Sequence, residues 1–173
     1  MRVHHALTNR RPWESEHLRR LDETLLRCGS QPLTDLDVGA FGLEEDGDHY
    51  TRVEFRRFVA QLAHSLRDMP HPLIVSDSTI DWCNYTREWE WTGWASDVVR
   101  TALENRCVVD VVCGSGFVAR ASQNEHFFTR TSHHLRTNRD ITDVVFLGGW
   151  NDAERTSHAC EAISRVISLV ERY

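Results

Sequence analysis

The apolar residues of this chain fall into two kinds of run. Three runs are short and nearly continuous: "PLIVSDS" (72–78), "CVVDVVC" (107–113) and "ITDVVFLGG" (141–149). They are rich in β-branched residues, which suits strands covered on both faces. Two weaker strand signals are "VHHAL" (3–7) and "PLTDLDV" (32–38). Between these lie runs with helical spacing. Leu18, Leu21, Leu25 and Leu26 form one stripe over 14–29, which stops at Gly29. Phe55, Phe58, Val59, Leu62 and Leu66 form another over 52–68. Helices are also predicted over 93–105 and 153–173, and Pro70 and Pro72 mark a turn before the third strand. Residues 118–140 read as a long polar loop, a kind that often carries function.

Strands alternating with helices imply βαβ units and a mostly parallel sheet between helical layers. In such sheets ligands bind beyond the carboxyl ends of the strands, so the residues just after each strand matter most. Ser78 follows 72–76, Gly114 and Gly116 follow 107–112, and Asn151 and Asp152 follow 141–147. After 32–38 and a short loop comes "DGDH", with Asp46 and His49.

These residue types make a coherent chemistry. A serine hydroxyl attacks only when a base takes its proton. His49 is the candidate base, with Asp46 or a backbone carbonyl fixing its tautomer. Attack on an ester carbonyl builds an oxyanion, which needs donors aimed at it. The Ser78 N–H, the Gly116 N–H and the Asn151 amide are the candidates; a glycine lets backbone approach a substrate closely. The plain structural reading treats Ser78 as a turn residue, Asp46 and Asp48 as turn residues before a helix at Thr51, and Asn151 as a helix cap. One of the two glycines is expected simply to form a tight turn. Asp152 is expected to act through structural hydrogen bonds.

Four of these blocks together resemble the SGNH (GDSL-type) hydrolase superfamily. "SDS" (76–78) resembles its first block, Gly-Asp-Ser, with Ser76 in place of the glycine; "GSGF" (114–117) resembles the second, "GWND" (149–152) the third and "DGDH" (46–49) the fifth. The likeness covers nearly the whole chain. It implies a three-layer α/β/α, flavodoxin-like domain with a five-stranded parallel sheet. It also implies a serine esterase with Ser78 as nucleophile, His49 and Asp46 completing the triad, and Ser78, Gly116 and Asn151 forming the oxyanion hole. The block order differs, because the family ends on Asp-x-x-His and this chain begins with it. A circular permutation accounts for that. Residues 1–68 then correspond to the family's C-terminal part and 72–173 to its N-terminal part, in one domain over 1–173. The alternative is a dimer that swaps halves. The partner expected is a small-molecule ester, with no cofactor.

Composition narrows the rest. A net charge of −6 with both signs interspersed argues against a broad nucleic-acid surface. No run of 18 apolar residues predicts a membrane helix. The five cysteines (Cys28, Cys83, Cys107, Cys113, Cys160) form no C-x-x-C pair, so reduced thiols and an intracellular location are expected. In "DWCNYTREWEWTGW" (81–94), Trp94 is read as core, while Trp89 and Trp91, with Trp150 beside Asn151, are candidate walls of a substrate pocket. His126, His133 and His134 lack a ligand partner at metal-site spacing, and no metal is expected. His4 and His5 are read as structural. Arg120, Arg130 and Arg136 are read as contacts for an acidic substrate group or as solvated side chains. A catalytically silent binding module is the rival from another class. A nucleotide-binding domain is disfavoured, since no G-x-x-x-x-G-K-[ST] loop is present.

Overall fold

The computed structural model describes residues 1–7, 15–36, 51–80, 94–120 and 125–173. Among these, five strands form one parallel sheet: β1 (Arg2–Leu7), β2 (Gln31–Pro32), β3 (Pro72–Ser76), β4 (Val108–Val111) and β5 (Asp143–Gly148). The helices are α1 (Ser15–Arg27), α2 (Arg52–Leu66), α3 (Trp94–Ala102), α4 (Phe127–Thr137) and α5 (Thr156–Val170), with a 3-10 turn over Trp150–Arg155 before α5.

The strand order across the sheet is β2-β1-β5-β3-β4. Counted from β3 around to β2, that order becomes 2-1-3-4-5 from the β4 edge, the doubly wound order of flavodoxin-like domains. The observed order is thus a cyclic relabelling of that doubly wound order, the arrangement a circular permutation would give. The order reverses between β3 and β5, and a ligand crevice in such sheets opens at that point, beyond the carboxyl ends.

The two faces follow from the period-2 pattern of the central strands. Ile74, Val145 and Leu147 face a layer built by α2 and α3, where Phe55, Phe58, Leu62 and Val99 are buried. Leu73, Val75, Val144 and Phe146 face α1, α4 and α5, where Leu21, Leu25, Phe127 and Ile163 are buried. Trp94 opens α3 and packs against the first layer, its ring 6.0 Å from that of Phe55.

Local signals explain several boundaries. α1 ends in a Schellman motif: Gly29 takes φ +85°, and the Ser30 and Gly29 N–H groups donate to the Leu25 and Leu26 carbonyls. Thr51 caps α2, its hydroxyl accepting from the Glu54 N–H. Arg106 ties down the link between α2 and β3, donating to the carbonyls of Met69 (3.0 Å), Pro70 (2.9 Å) and Arg67 (3.4 Å). On the other side of that link, His71 and Thr142 exchange hydrogen bonds.

Three expectations need correction. The strand expected over 32–38 shrinks to Gln31–Pro32; residues 33–36 turn so that Leu33 and Leu36 reach the core, while 37–38 lie outside the described residues. The loop expected over 118–140 contains α4. Its buried face is Phe127, Arg130, Thr131 and Leu135, a helical spacing that polar residues hide from a hydrophobic pattern. Third, Cys28, Cys107 and Cys160 are free thiols, but Cys113 is disulfide-bonded, with its partner outside the described residues. Disulfides persist mainly where conditions are oxidising, so the cysteines no longer support an intracellular location. Among the described residues no helix is long and apolar enough to cross a membrane.

Candidate functional site at the switch between β3 and β5

The carboxyl ends of β3 and β5 are joined by the Asp77 N–H, which donates to the Leu147 carbonyl at 3.3 Å. Ser78 follows in a turn and is partly exposed; its side chain makes no hydrogen bond among the described residues. The turn is shaped by Asp77, which is only 2% exposed. Its Oδ1 accepts from the Thr79 N–H (2.8 Å) and from the Thr79 hydroxyl. Its Oδ2 lies 3.3 Å from the Asn151 Nδ2. Gly148, at φ +135°, passes so close beneath this carboxylate that any Cβ there would overlap it.

Asn151 stands on the first turn after β5. Its Nδ2 also donates to the Ser115 carbonyl at 2.9 Å, so the amide bridges the loops after β3 and β4. The 3-10 turn that carries it starts at Gly149 (φ +106°) and is held from α1: the His17 Nε2–H donates to the Gly149 carbonyl at 2.9 Å, and His17 Nδ1 lies 2.7 Å from the Thr156 hydroxyl.

Asp152 is fully buried and has a structural part. Its carboxylate accepts from three successive amides: Phe117 (2.7 Å), Val118 (3.0 Å) and Ala119 (2.7 Å). This folds the loop after β4 back on itself, and the Gly116 N–H donates to the Ala119 carbonyl at 3.0 Å. A Cβ at Gly116 would sit 2.5 Å from an Asp152 oxygen. The close approach that calls for glycine at 116 is therefore to Asp152. Gly114, at φ +74° in open space, is the tight-turn glycine.

Beneath the site lies Arg130, 4% exposed. It donates to the Ser76 carbonyl (3.1 Å) and the Ser115 hydroxyl (2.8 Å), and it pairs with Asp110 at 2.9 Å. Neither solvated nor presented to a ligand, it clamps the ends of β3 and β4. Burial alone would raise the Asp110 carboxyl, but hydrogen bonds from His134 and Arg130 outweigh it and hold it below the usual carboxylate value. The rings of Phe117, Phe127 and Phe146 meet at 5.0–5.8 Å and seat the loop, α4 and β5 against one another.

The remaining predicted residues divide clearly. Trp150 and Asn151 line a cleft of about 460 Å³ with Ala119, Arg120 and Arg155. His126 caps α4 and His134 bonds Asp110, while His133 is exposed; among the described residues no group of three or more His, Cys, Asp or Glu is placed to hold a metal ion. His4 and His5 are structural: His4 bonds Asp143, and His5 bridges Ser30 and Asp22. His49, Asp46, Trp89 and Trp91 lie outside the described residues. Sequence reasoning gave no role to Asp77, Ser115 or His17. The signal for Asp77 was its place between two small residues at a strand end; nothing in the sequence marked the other two. Comparison of the chain with protein-family models, with curated proteins and with solved structures returns no match.

Proposed function

We propose that this chain is a serine esterase that cleaves a carboxylic ester through an acyl-enzyme. The observation that carries this reading is the arrangement at the sheet's switch point: a partly exposed Ser78 just after β3, and after β5 the Asn151 amide, which contacts the carboxylate of Asp77, the residue next to Ser78. In the proposed cycle His49 takes the Ser78 hydroxyl proton as Oγ attacks the ester carbonyl. Asn151 and the Ser78 N–H steady the oxyanion, and His49 returns the proton to the leaving alcohol. Water then attacks the acyl-enzyme by the same path, releasing the acid and restoring Ser78. Asp46 orients His49. The Asn151–Asp77 contact is long at 3.3 Å, the weaker of the two bonds its amide makes and the one it would give up for an oxyanion. The Gly116 N–H would first have to leave the Ala119 carbonyl.

That last point favours a second reading, a catalytically silent binding module, in which the tied Gly116 and Asn151 donors are structural. One pair of measurements separates the two. For the esterase, wild-type protein turns over p-nitrophenyl acetate and takes a fluorophosphonate label. Ser78→Ala then loses both, with turnover down at least ~10³-fold and an unchanged circular dichroism spectrum. Unlabelled, inactive wild-type protein selects the binding module.

A further inference from the structure

A second pocket lies between the start of α4, the loop after β4 and α5. It encloses about 150 Å³. Phe117, Phe128 and Ala162 give it apolar walls, and Arg120, His126 and Arg165 give it a basic lining. In a chain of net charge −6 this is a local reversal of sign. Arg165 is exposed and has no carboxylate partner among the described residues, although Glu161 stands one turn earlier on the same helix. Its guanidinium instead lies over the Phe128 ring, 5.4 Å from the centroid. Stacking uses the flat face and leaves the N–H edge to a planar acceptor. The His126 Nδ1 accepts from the Thr129 N–H at 3.3 Å, so in the neutral ring the proton sits on Nε2, which is a donor with no partner among the described residues. Burial first, then the charge of Arg120, with a smaller part from Arg165, depresses the imidazole against an opposing pull from Asp152.

A space of this size takes a single six-membered ring. A ring satisfies the apolar walls, and one carboxylate satisfies the guanidinium edge and the imidazole N–H. We propose that this pocket binds a small aryl carboxylate, its ring against Phe117, Phe128 and Ala162 and its carboxylate on Arg165 and His126. Arg120 and the segment 118–120 border both this pocket and the cleft beside Asn151. A ligand here therefore touches the loop that Asp152 holds, while its binding needs no ester chemistry.

Calorimetric titration of the full chain with benzoate, benzyl alcohol and inorganic phosphate tests this directly. Benzoate should bind at least ~10-fold more tightly than either of the others, since the charge-assisted contact and the ring contact each supply part of the affinity. Arg165→Gln, a surface change that spares the fold, should weaken benzoate ~10-fold or more. Arg139→Gln, whose guanidinium lies over Tyr173 instead, should leave it unchanged. Absence of benzoate binding, equal binding of benzyl alcohol, or an Arg165→Gln variant that binds like wild type overturns the proposal. Because the readout is binding alone, its failure says nothing about Ser78.

Discussion

Asp77 and Asp152 follow neighbouring strands, each in a short motif that reads as catalytic, and each carboxylate presses on a glycine that has no room for a Cβ. Their hydrogen bonds separate them. Asp152 spends both oxygens on three backbone amides of one loop. Asp77 spends one oxygen on its own turn and offers the other to the Asn151 side chain. The first is a lock on a loop. The second positions a group that takes part in the proposed chemistry. Burial does not distinguish them, since both are nearly inaccessible; the identity of the donors does.

The strongest way to break this contrast is to remove the lock. Asp152→Ala leaves three amides without an acceptor, at ~1–3 kcal/mol for each one buried. Urea unfolding should show a loss of at least ~3 kcal/mol. Gly116→Ala alone should cost ~1–3 kcal/mol through overpacking against the same carboxylate. In the double variant the added methyl has space, so the two losses should fall well short of additive. Strict additivity would mean that Gly116 is required for some other reason.

A subtler change sharpens the other half of the comparison. Asp77→Asn keeps an oxygen for Thr79 but turns an amide group toward Asn151, donor against donor. Stability should fall by ~1–2 kcal/mol, one unsatisfied donor rather than three, while turnover of p-nitrophenyl acetate falls ~10-fold through misplacement of Asn151. A stability loss as large as that of Asp152→Ala would erase the distinction between the two acids.

The smallest effect comes from a buried carboxylate at the other end of β5, far from both. Asp143 is hydrogen-bonded by Thr142, Arg2 and His4. Burial alone would raise its carboxyl, but those three bonds outweigh it and the net direction is down. A carboxyl depressed on folding stabilises above its unfolded value, near 4, and that contribution is lost as pH falls through the folded value. Unfolding midpoints should therefore decline below pH ~4 in wild type, and less steeply in Asp143→Asn. Equal slopes would show that Asp143 contributes nothing to acid lability.

How legible the molecule was in its sequence depended on who each residue's neighbours are. β3 and β5 are central and covered on both faces, so their apolar runs could hardly be read otherwise. β2 is an edge of two residues, and its apolar followers serve a turn. α4 escaped because its inward face carries the buried polar residues Arg130 and Thr131, and Arg130 is held by hydrogen bonds to strand ends that only the fold brings near. The placement of Ser78 after β3 and of Asn151 after β5 was legible because position after a strand is itself a sequence property. Gly116 was recognised as a close-approach glycine, but the approaching group is 36 residues away, and no local pattern names it. The disulfide at Cys113 was missed for the same reason.

The strap made by Arg106 has a bearing on connectivity. It grips three carbonyls of the link between α2 and β3, and Thr142 holds the same link from the other side. In a domain numbered 2-1-3-4-5 across this sheet, the link would fall where the chain's two ends lie. A break there would leave both new termini anchored by Arg106 and Thr142, two side chains of the C-terminal fragment. The joint is thus a natural place to divide the protein into two complementing fragments, and under the proposed esterase reading, which puts His49 in one half and Ser78 in the other, turnover would return only when the halves reassemble.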